Sequence, residues 1–435
     1  MPIANLILRA LPIAALVFAG QANAAPEPLL TAMSNQKFAA AAQDRVLVAL
    51  ESDPATASVQ LVEADSAQVT LDRKTLSLPL QPGKTLQVSR TLAYRNGDGT
   101  LVWEGGLVAA VVGRHDGPAD PMNNLILVRN GTRLTGSLRI AGRLWRLSPL
   151  GSGGHALVEV DESRMPPDHP VDYKQVPILP LPATVQKAVP RRPGVPTIGV
   201  GGSVVPHGPR TGGIVPERSK TTIRAMVVIT NAAAEASGDA AGLVNLAIAE
   251  TNQGYRFSGV DIRIELAGWY PTAYVENTFD SDLERFTDTN DGFMDEFHAQ
   301  RNSIAADINV LIINDPQYCG LGWLNGPAEY AFSAVHHTCA TGYYSFAHEM
   351  GHNQGAHHDP VNGSNADFRY GHGFWAPARN WRTIMAYACP GNTCPRINAW
   401  SNPRKFLNGE PMGTSALNDN HRVLNDTRER VAGFR

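Results

Sequence analysis

The stretch from His348 to Asp359, HEMGHNQGAHHD, gathers four histidines and two carboxylates. His348 and His352 are four apart. On an α-helix, at ~100° per residue, they lie ~40° apart around the axis and one turn along it, so both imidazoles can reach one ion. Glu349 projects beside that point, where a carboxylate reaches a metal-held water without taking a coordination position. Gly355 falls three residues past His352, where a residue free to take φ > 0 lets the chain leave the helix sharply. His358 then swings back as a third ligand. Three neutral imidazoles leave zinc one open position, and water bound there deprotonates near neutral pH with Glu349 as the base. The spacing suits metal-assisted hydrolysis.

Taken alone, H-E-x-x-H arises by chance in on the order of 1% of chains this long, but the extended form through Gly355 and His358 is rarer by about three orders of magnitude. A surface helix that is merely rich in histidine is therefore a poor alternative. Downstream, RTIMAY (382–387) places Met385 in a short turn, as expected beneath a three-histidine zinc site.

With these residues in place, the chain resembles the metzincin zinc endopeptidases. FAHEMGHNQGAHHD, with Asp359 directly after His358, is most similar to the reprolysin (adamalysin-like) branch. YAFSAVHHTCATGYYSFAHEMGH and RTIMAYACPGNTCPRINAWSNP look closest to the secreted bacterial members, the peptidyl-Asp metallopeptidases among them. The resemblance covers about 221–435. It implies one catalytic zinc on His348, His352 and His358, with Glu349 as base and Met385 under the site. It also implies an S1′ pocket whose cation faces an acidic side chain. Arg382 and Arg396, flanking the methionine turn, are the candidates, against a plain structural role. Tyr387 departs from reprolysins and resembles astacins and serralysins, where a tyrosine at that place ligates zinc or steadies the oxyanion; an ordinary packed tyrosine is the alternative. Calcium finds no support, since the glycine in DTNDGFMDEF (288–297) comes one place early for an EF-hand.

Positioning such a site takes a folded unit. From Thr221, IRAMVVIT (223–230) reads as a buried strand, and Leu243, Leu246, Ala247, Glu250 and Gly254 form a helical stripe. VDIRIEL (260–266) and INVLIIN (308–314) read as strands, with a helical stretch somewhere in 280–304. The fold class is α+β: a metzincin catalytic domain with a mixed twisted sheet, active-site helix and Met-turn, preceded by a β-rich pro-domain. Substrate is expected along EYAFSAVHH (329–337) as an edge strand, with His336 and His337 as its side chains. Val423, Leu424, Val431 and Phe434 offer a packing face for one last helix, and no accessory module is expected after it.

Domain limits follow composition. MPIANLILRALPIAALVFAGQANA (1–24) has a basic residue, a short apolar run and Ala22-Asn23-Ala24, the pattern of a signal peptide, too short to span a membrane. Residues 25–175 read as a β-rich propeptide, with turn signals at Asn96-Gly97-Asp98-Gly99 and Asn130-Gly131. Residues 176–220 form a Pro/Gly-rich linker with processing sites at Arg191, Arg192, Arg210, Arg218 and Lys220, and 221–435 the catalytic domain. In a secreted (extracellular or periplasmic) protein, the four cysteines pair as disulfides. The sequential pairing, Cys319–Cys339 and Cys389–Cys394, is preferred among three. No cysteine precedes Cys319, so a cysteine cannot hold the precursor silent; Asp161, Asp168 and His169 are candidate blockers, unless the propeptide serves folding alone.

The formal net charge of −3 gives no general attraction to nucleic acid or anionic lipid. Expected partners are protein or peptide substrates and the chain's own propeptide, with no nucleic acid, no membrane anchor and a monomeric state. The rival from another class is a secreted binding protein with an inert zinc. Three histidines with an intact glutamate disfavour it, because structural zinc is normally closed by four protein ligands. A gluzincin would need a glutamate ligand where His358 stands.

Overall fold

Short apolar runs between glycine turns favour strands, and the first part of the chain is a single large sheet. The computed structural model describes residues 27–81, 84–107, 120–170, 220–363, 367–378, 380–391 and 394–435. The expected signal peptide, the arginines of the linker and the linker itself up to residue 219 lie outside these residues. Strands β1 (Leu30–Ala32), β2 (Thr56–Ala64), β3 (Thr75–Gln81), β4 (Lys84–Arg95), β5 (Leu101–Leu107), β6 (Asn123–Asn130), β7 (Arg133–Ile140), β8 (Arg143–Pro149) and β9 (His155–Val160) run antiparallel in the order β1-β2-β9-β8-β7-β6-β5-β4-β3. Helices α1 (Asn35–Ala41) and α2 (Arg45–Ser52) precede β2. Asn130-Gly131 opens the tight β6–β7 turn, with Gly131 at φ 62°, and the Asn96–Gly99 turn joins β4 to β5.

The second part alternates strands and helices: β10 (Thr221–Thr230), α3 (Asn231–Ser237), α4 (Ala240–Ser258), β11 (Ile262–Thr272), α5 (Phe279–Thr287), α6 (Glu296–Ser303), β12 (Ile308–Ile313), β13 (Gly320–Gly322), β14 (Phe332–His336), α7 (His337–Ala340), α8 (Ser345–Gln354), β15 (Asn402–Leu407), β16 (Glu410–Met412) and α9 (Asn420–Val431). Its main sheet runs β11-β10-β12-β14-β13, parallel except for β13. The crossover that a parallel β10–β11 pair demands is supplied by α3 and α4.

Two expectations need correction. β14 is not an edge strand. Gly320-Leu321-Gly322 has weak strand propensity and is invisible as a strand in sequence, yet it pairs antiparallel with β14 and takes the edge. His336 is accordingly buried. The helical stretch in 280–304 is two helices, interrupted where Asp288, Asp291 and Asp295 accept hydrogen bonds from nearby backbone amides around Gly292 at φ 85°.

Helix α4 is buried almost all round. One side meets the mixed sheet; on the other, Leu246 and Ala249 pack on Tyr94, Val102, Ile126 and Val128 of the antiparallel sheet. A helix with two buried sides loses the polar stripe of a surface helix. Its polar side chains bond across the joint: Asn245 to Asn96 (2.7 Å), Gln253 to Glu104 (3.2 Å), and Asp239, at its N-cap, to Asn130 (2.8 Å). None of the described helices is long and apolar enough to cross a membrane.

Candidate active site

Helix α8 ends as its spacing predicts. Gly355 caps it at φ 100°, and the chain returns to bring His358 against the helix. Nδ1 of His348 donates to the carbonyl of Ile384 (2.9 Å), and Nδ1 of His352 to that of Ala356 (2.9 Å). Carbonyls only accept, so both rings keep their protons on Nδ1 and leave Nε2 bare. Those bare atoms converge: Nε2 of His352 lies 3.1 Å from Nε2 of His348 and 2.9 Å from Nε2 of His358. Burial, with the neighbouring imidazoles, holds all three pKa values well below the usual histidine range. Lone pairs facing one another at this distance repel unless a cation sits among them. Tetrahedral zinc, with Zn–N near 2.0–2.1 Å, sets its nitrogens about 3.3 Å apart. The donor set fits zinc.

Met385 is fully buried under this helix. Its Sδ lies 3.1 Å from where a Cβ on Gly351 would stand, between the turns carrying His348 and His352. The neighbouring Ile384 carbonyl orients His348, so the methionine turn both supports the helix and aims a ring.

Glu349 is buried beside the three rings, and burial raises its pKa against the opposing pull of His169. Its Oε2 has no hydrogen-bond partner among the described residues, as a base awaiting water requires. A Cβ at Gly320 would fall against Oε1. Sequence reading missed Gly320; its position in β13 is the signal, and that strand could not be read from sequence.

The structure adds a fourth imidazole. One ligand atom each from His169, His348, His352 and His358 lies within 4.8 Å of the others. His169 Nε2 is 3.0 Å from Glu349 Oε1, and its Nδ1 is 3.1 Å from the Tyr387 hydroxyl. Tyr387 stands over His358 with ring centroids 4.4 Å apart, and its backbone amide donates to Asp359 (3.1 Å). Burial pushes its hydroxyl pKa upward, so it stays a donor.

Arg382 and Arg396 come together as a buried guanidinium pair on Asp168. The Arg396 guanidinium is 2.7 Å, and that of Arg382 3.5 Å, from the Asp168 carboxylate. Burial pushes the Asp168 pKa up, but Arg396 and Arg382 outweigh it and hold the carboxyl below its ordinary range. Tyr343 lies against both arginines, its hydroxyl accepting from Arg382 at 2.7 Å. Asp161 lies off the site, capping a short turn through Ser163. His336 is buried and His337 half-buried, both outside the imidazole cluster; burial lowers the His336 pKa to about 4. The cysteines pair sequentially: Cys319–Cys339 ties the start of β13 to α7, and Cys389–Cys394 closes the loop between Tyr387 and Arg396.

Comparison with known proteins agrees with this geometry. Residues 219–401 match the Reprolysin_5 family, Metallo-peptidase family M12. The chain is 41% identical over 430 residues to the peptidyl-Asp metalloendopeptidase of Xanthomonas campestris pv. campestris, covering 97% of each chain. It is 43% identical over 433 residues to that of Stenotrophomonas maltophilia R551-3, covering 96% of this chain and 95% of the relative. A solved structure, metalloproteinase-II from Bacteroides fragilis, aligns with TM-score 0.42 and 11% identity over 81% of this chain and 90% of that one, too loosely to carry weight. The chain is a zinc metalloendopeptidase and belongs to the bacterial, metzincin-like peptidyl-Asp metalloendopeptidase family.

Proposed function

We propose that the chain is a secreted endopeptidase, made as a precursor, that cuts peptides before acidic residues. The carrying observation is the adjacency of two sites: convergent Nε2 atoms of His348, His352 and His358 beside Glu349, and paired Arg382 and Arg396 closed on a carboxylate. Zinc, when bound, supplies a Lewis acid and lowers the pKa of water. Glu349 then takes a proton and returns it to the leaving nitrogen. Tyr387 offers its hydroxyl to the oxygen that becomes negative, a contribution available only once the carbonyl is attacked.

The guanidinium pair supplies selectivity. Two cations in a site closed to water are costly without a counter-ion, so a substrate carboxylate gains what an amide of the same shape does not. The relatives are named for cutting at aspartate, in keeping with this pocket. The metzincin division into sheet, active-site helix and methionine turn suits the second part of the chain, and the antiparallel sheet in front suits a propeptide.

A cleavage profile on a peptide library, with and without chelator, tests this reading. Expected are acidic residues at P1′, silence after chelation and recovery with zinc. Indifference to acidic residues removes the selectivity half, and activity that survives complete metal removal removes the rest.

A further inference from the structure

We propose that Pro167–His169 is an internal inhibitor: Asp168 fills the guanidinium pocket as an acidic substrate side chain does, and His169 takes the coordination position that His348, His352 and His358 leave open. The proposal rests on the pocket being the acidic subsite, as argued above.

The segment docks like an added strand. The amide of Cys319 donates to the Pro167 carbonyl (2.8 Å) and that of Gly320 to the Asp168 carbonyl (3.3 Å), at the start of edge strand β13, where a sheet edge can take an extended peptide. Asp168 is then held by Arg396 and Arg382. One residue on, His169 enters the imidazole cluster and touches Glu349 and Tyr387, the groups that handle the proton and the developing charge. Water has no place between them while that ring stays.

The same geometry explains why an aspartate in the acidic subsite is not itself cut. Hydrolysis before Asp168 needs the Pro167 carbonyl at the metal and beside Glu349. That carbonyl is engaged by Cys319, and the atoms presented to Glu349 belong to the imidazole after the aspartate, not to the peptide bond before it. The chain order at the cleft is the reverse of a substrate's. Pro166, Pro167 and Pro170 flank Asp168 and His169, and fixed φ angles reduce the entropy lost on docking.

The rest of the N-terminal part presents the plug. Buried Arg139 grips Glu162 at 2.7 Å and donates to the carbonyl of Gly342 at 2.9 Å, anchoring the root of the segment close to α8. Cutting the chain beyond the plug turns a tethered ligand into a dissociable one, and the advantage of high effective concentration is lost.

Metal-stripped full-length chain reloaded with cobalt(II) gives the test. With His169 as a ligand, His169→Asn shifts the visible cobalt bands and speeds transfer of cobalt to a chelator by on the order of tenfold or more. His169→Cys, which supplies another ligand, slows that transfer again; a role in packing alone would not give this rescue. On zinc-loaded precursors, initial rates with a short acidic peptide, taken before any chain cleavage is visible on a gel, rise by on the order of 100-fold in His169→Asn and Asp168→Asn, and much less in Asp168→Glu. Identical bands and transfer rates in wild type and His169→Asn, or an Asp168→Asn precursor as silent as wild type, overturn the proposal. Shifted bands with no hydrolysis by any form sustain the ligand assignment and sink the peptidase reading instead.

Discussion

The imidazole centre and the guanidinium pocket are neighbours built in opposite ways. The centre draws its three convergent histidines and Glu349 from one helix and the turn after it, all within 348–358. The pocket collects Arg382 and Arg396 from the two sides of a disulfide-closed loop, Tyr343 from ahead of α8, and a counter-ion from the N-terminal part of the chain. One is local geometry; the other exists only after tertiary closure. On the proposed function, chemistry and selectivity occupy separable structures, and mutations should be able to break either without the other. The largest break is at Glu349. Glu349→Gln should lower kcat by on the order of 10³-fold, since positioned proton transfer contributes about 10²–10⁴. Zinc content and the preference for acidic over amide peptides should persist, as metal analysis and paired-peptide kinetics would show. Loss of the metal in that variant would mean that the carboxylate holds the site together and that the separation is false.

The contrast also explains what the sequence could disclose. His348, Glu349, His352, Gly355 and His358 obey a helical period and a known stop signal, so their geometry can be read from spacing. Met385 and Tyr387 follow from resemblance once the motif is placed. Arg382 and Arg396 could be named, but their partner could not, because Asp168 lies more than two hundred residues away and reaches them through the docking of one sheet on α4. Sequence offers no ground for choosing among Asp161, Asp168 and His169; the route of the chain past β13 brings Asp168 and His169 to the site and leaves Asp161 off it. Gly320 was invisible for a related reason. A glycine-rich three-residue strand has almost no propensity of its own and forms because β14 offers it a partner. The burial of α4 on both sides likewise depends on the front sheet, so its sequence gives the helix but not its neighbours.

At the pocket, the two arginines should come apart. Arg396 makes the closer contact with the carboxylate and reaches the carbonyls of Tyr343 (3.2 Å) and Ala386 (3.4 Å) at longer range, whereas Arg382 donates closely to Ala386 (2.5 Å) and Tyr343 (2.7 Å) and also to Cys394 (3.3 Å). In the processed enzyme, Arg396→Gln should reduce the ratio of kcat/KM for an aspartyl peptide over its asparaginyl twin by on the order of 10²-fold, the scale of a desolvated charge pair. Its rate on a neutral peptide should hardly move. Arg382→Gln should in addition lower Tm by several degrees, because it removes the short bond to the buried Ala386 carbonyl of the methionine turn and the bond to the Cys394 carbonyl. Equal losses on both peptides in the Arg396 variant would show that the pocket acts on the chemistry and is no separate selectivity device.

The finest test moves one methyl group. Gly320 stands where a Cβ would press on Glu349 Oε1, and neither arginine is among the atoms that Cβ would meet. Gly320→Ala should therefore push the base without touching the pocket. Misplacement by a fraction of an ångström costs less than deletion, and roughly a tenfold fall in kcat is expected, with acid-over-amide preference and zinc content unchanged. The carboxylate is the far end of a flexible side chain, so it can yield without moving the helix. Its new position is then fixed by Gly322, whose own Cβ would stand 3.2 Å from Oε2, and the double variant Gly320→Ala/Gly322→Ala should lose more than the product of the two single effects. Simple multiplicativity would mean that the glycines act through the backbone of β13 and not through the room they leave for the base.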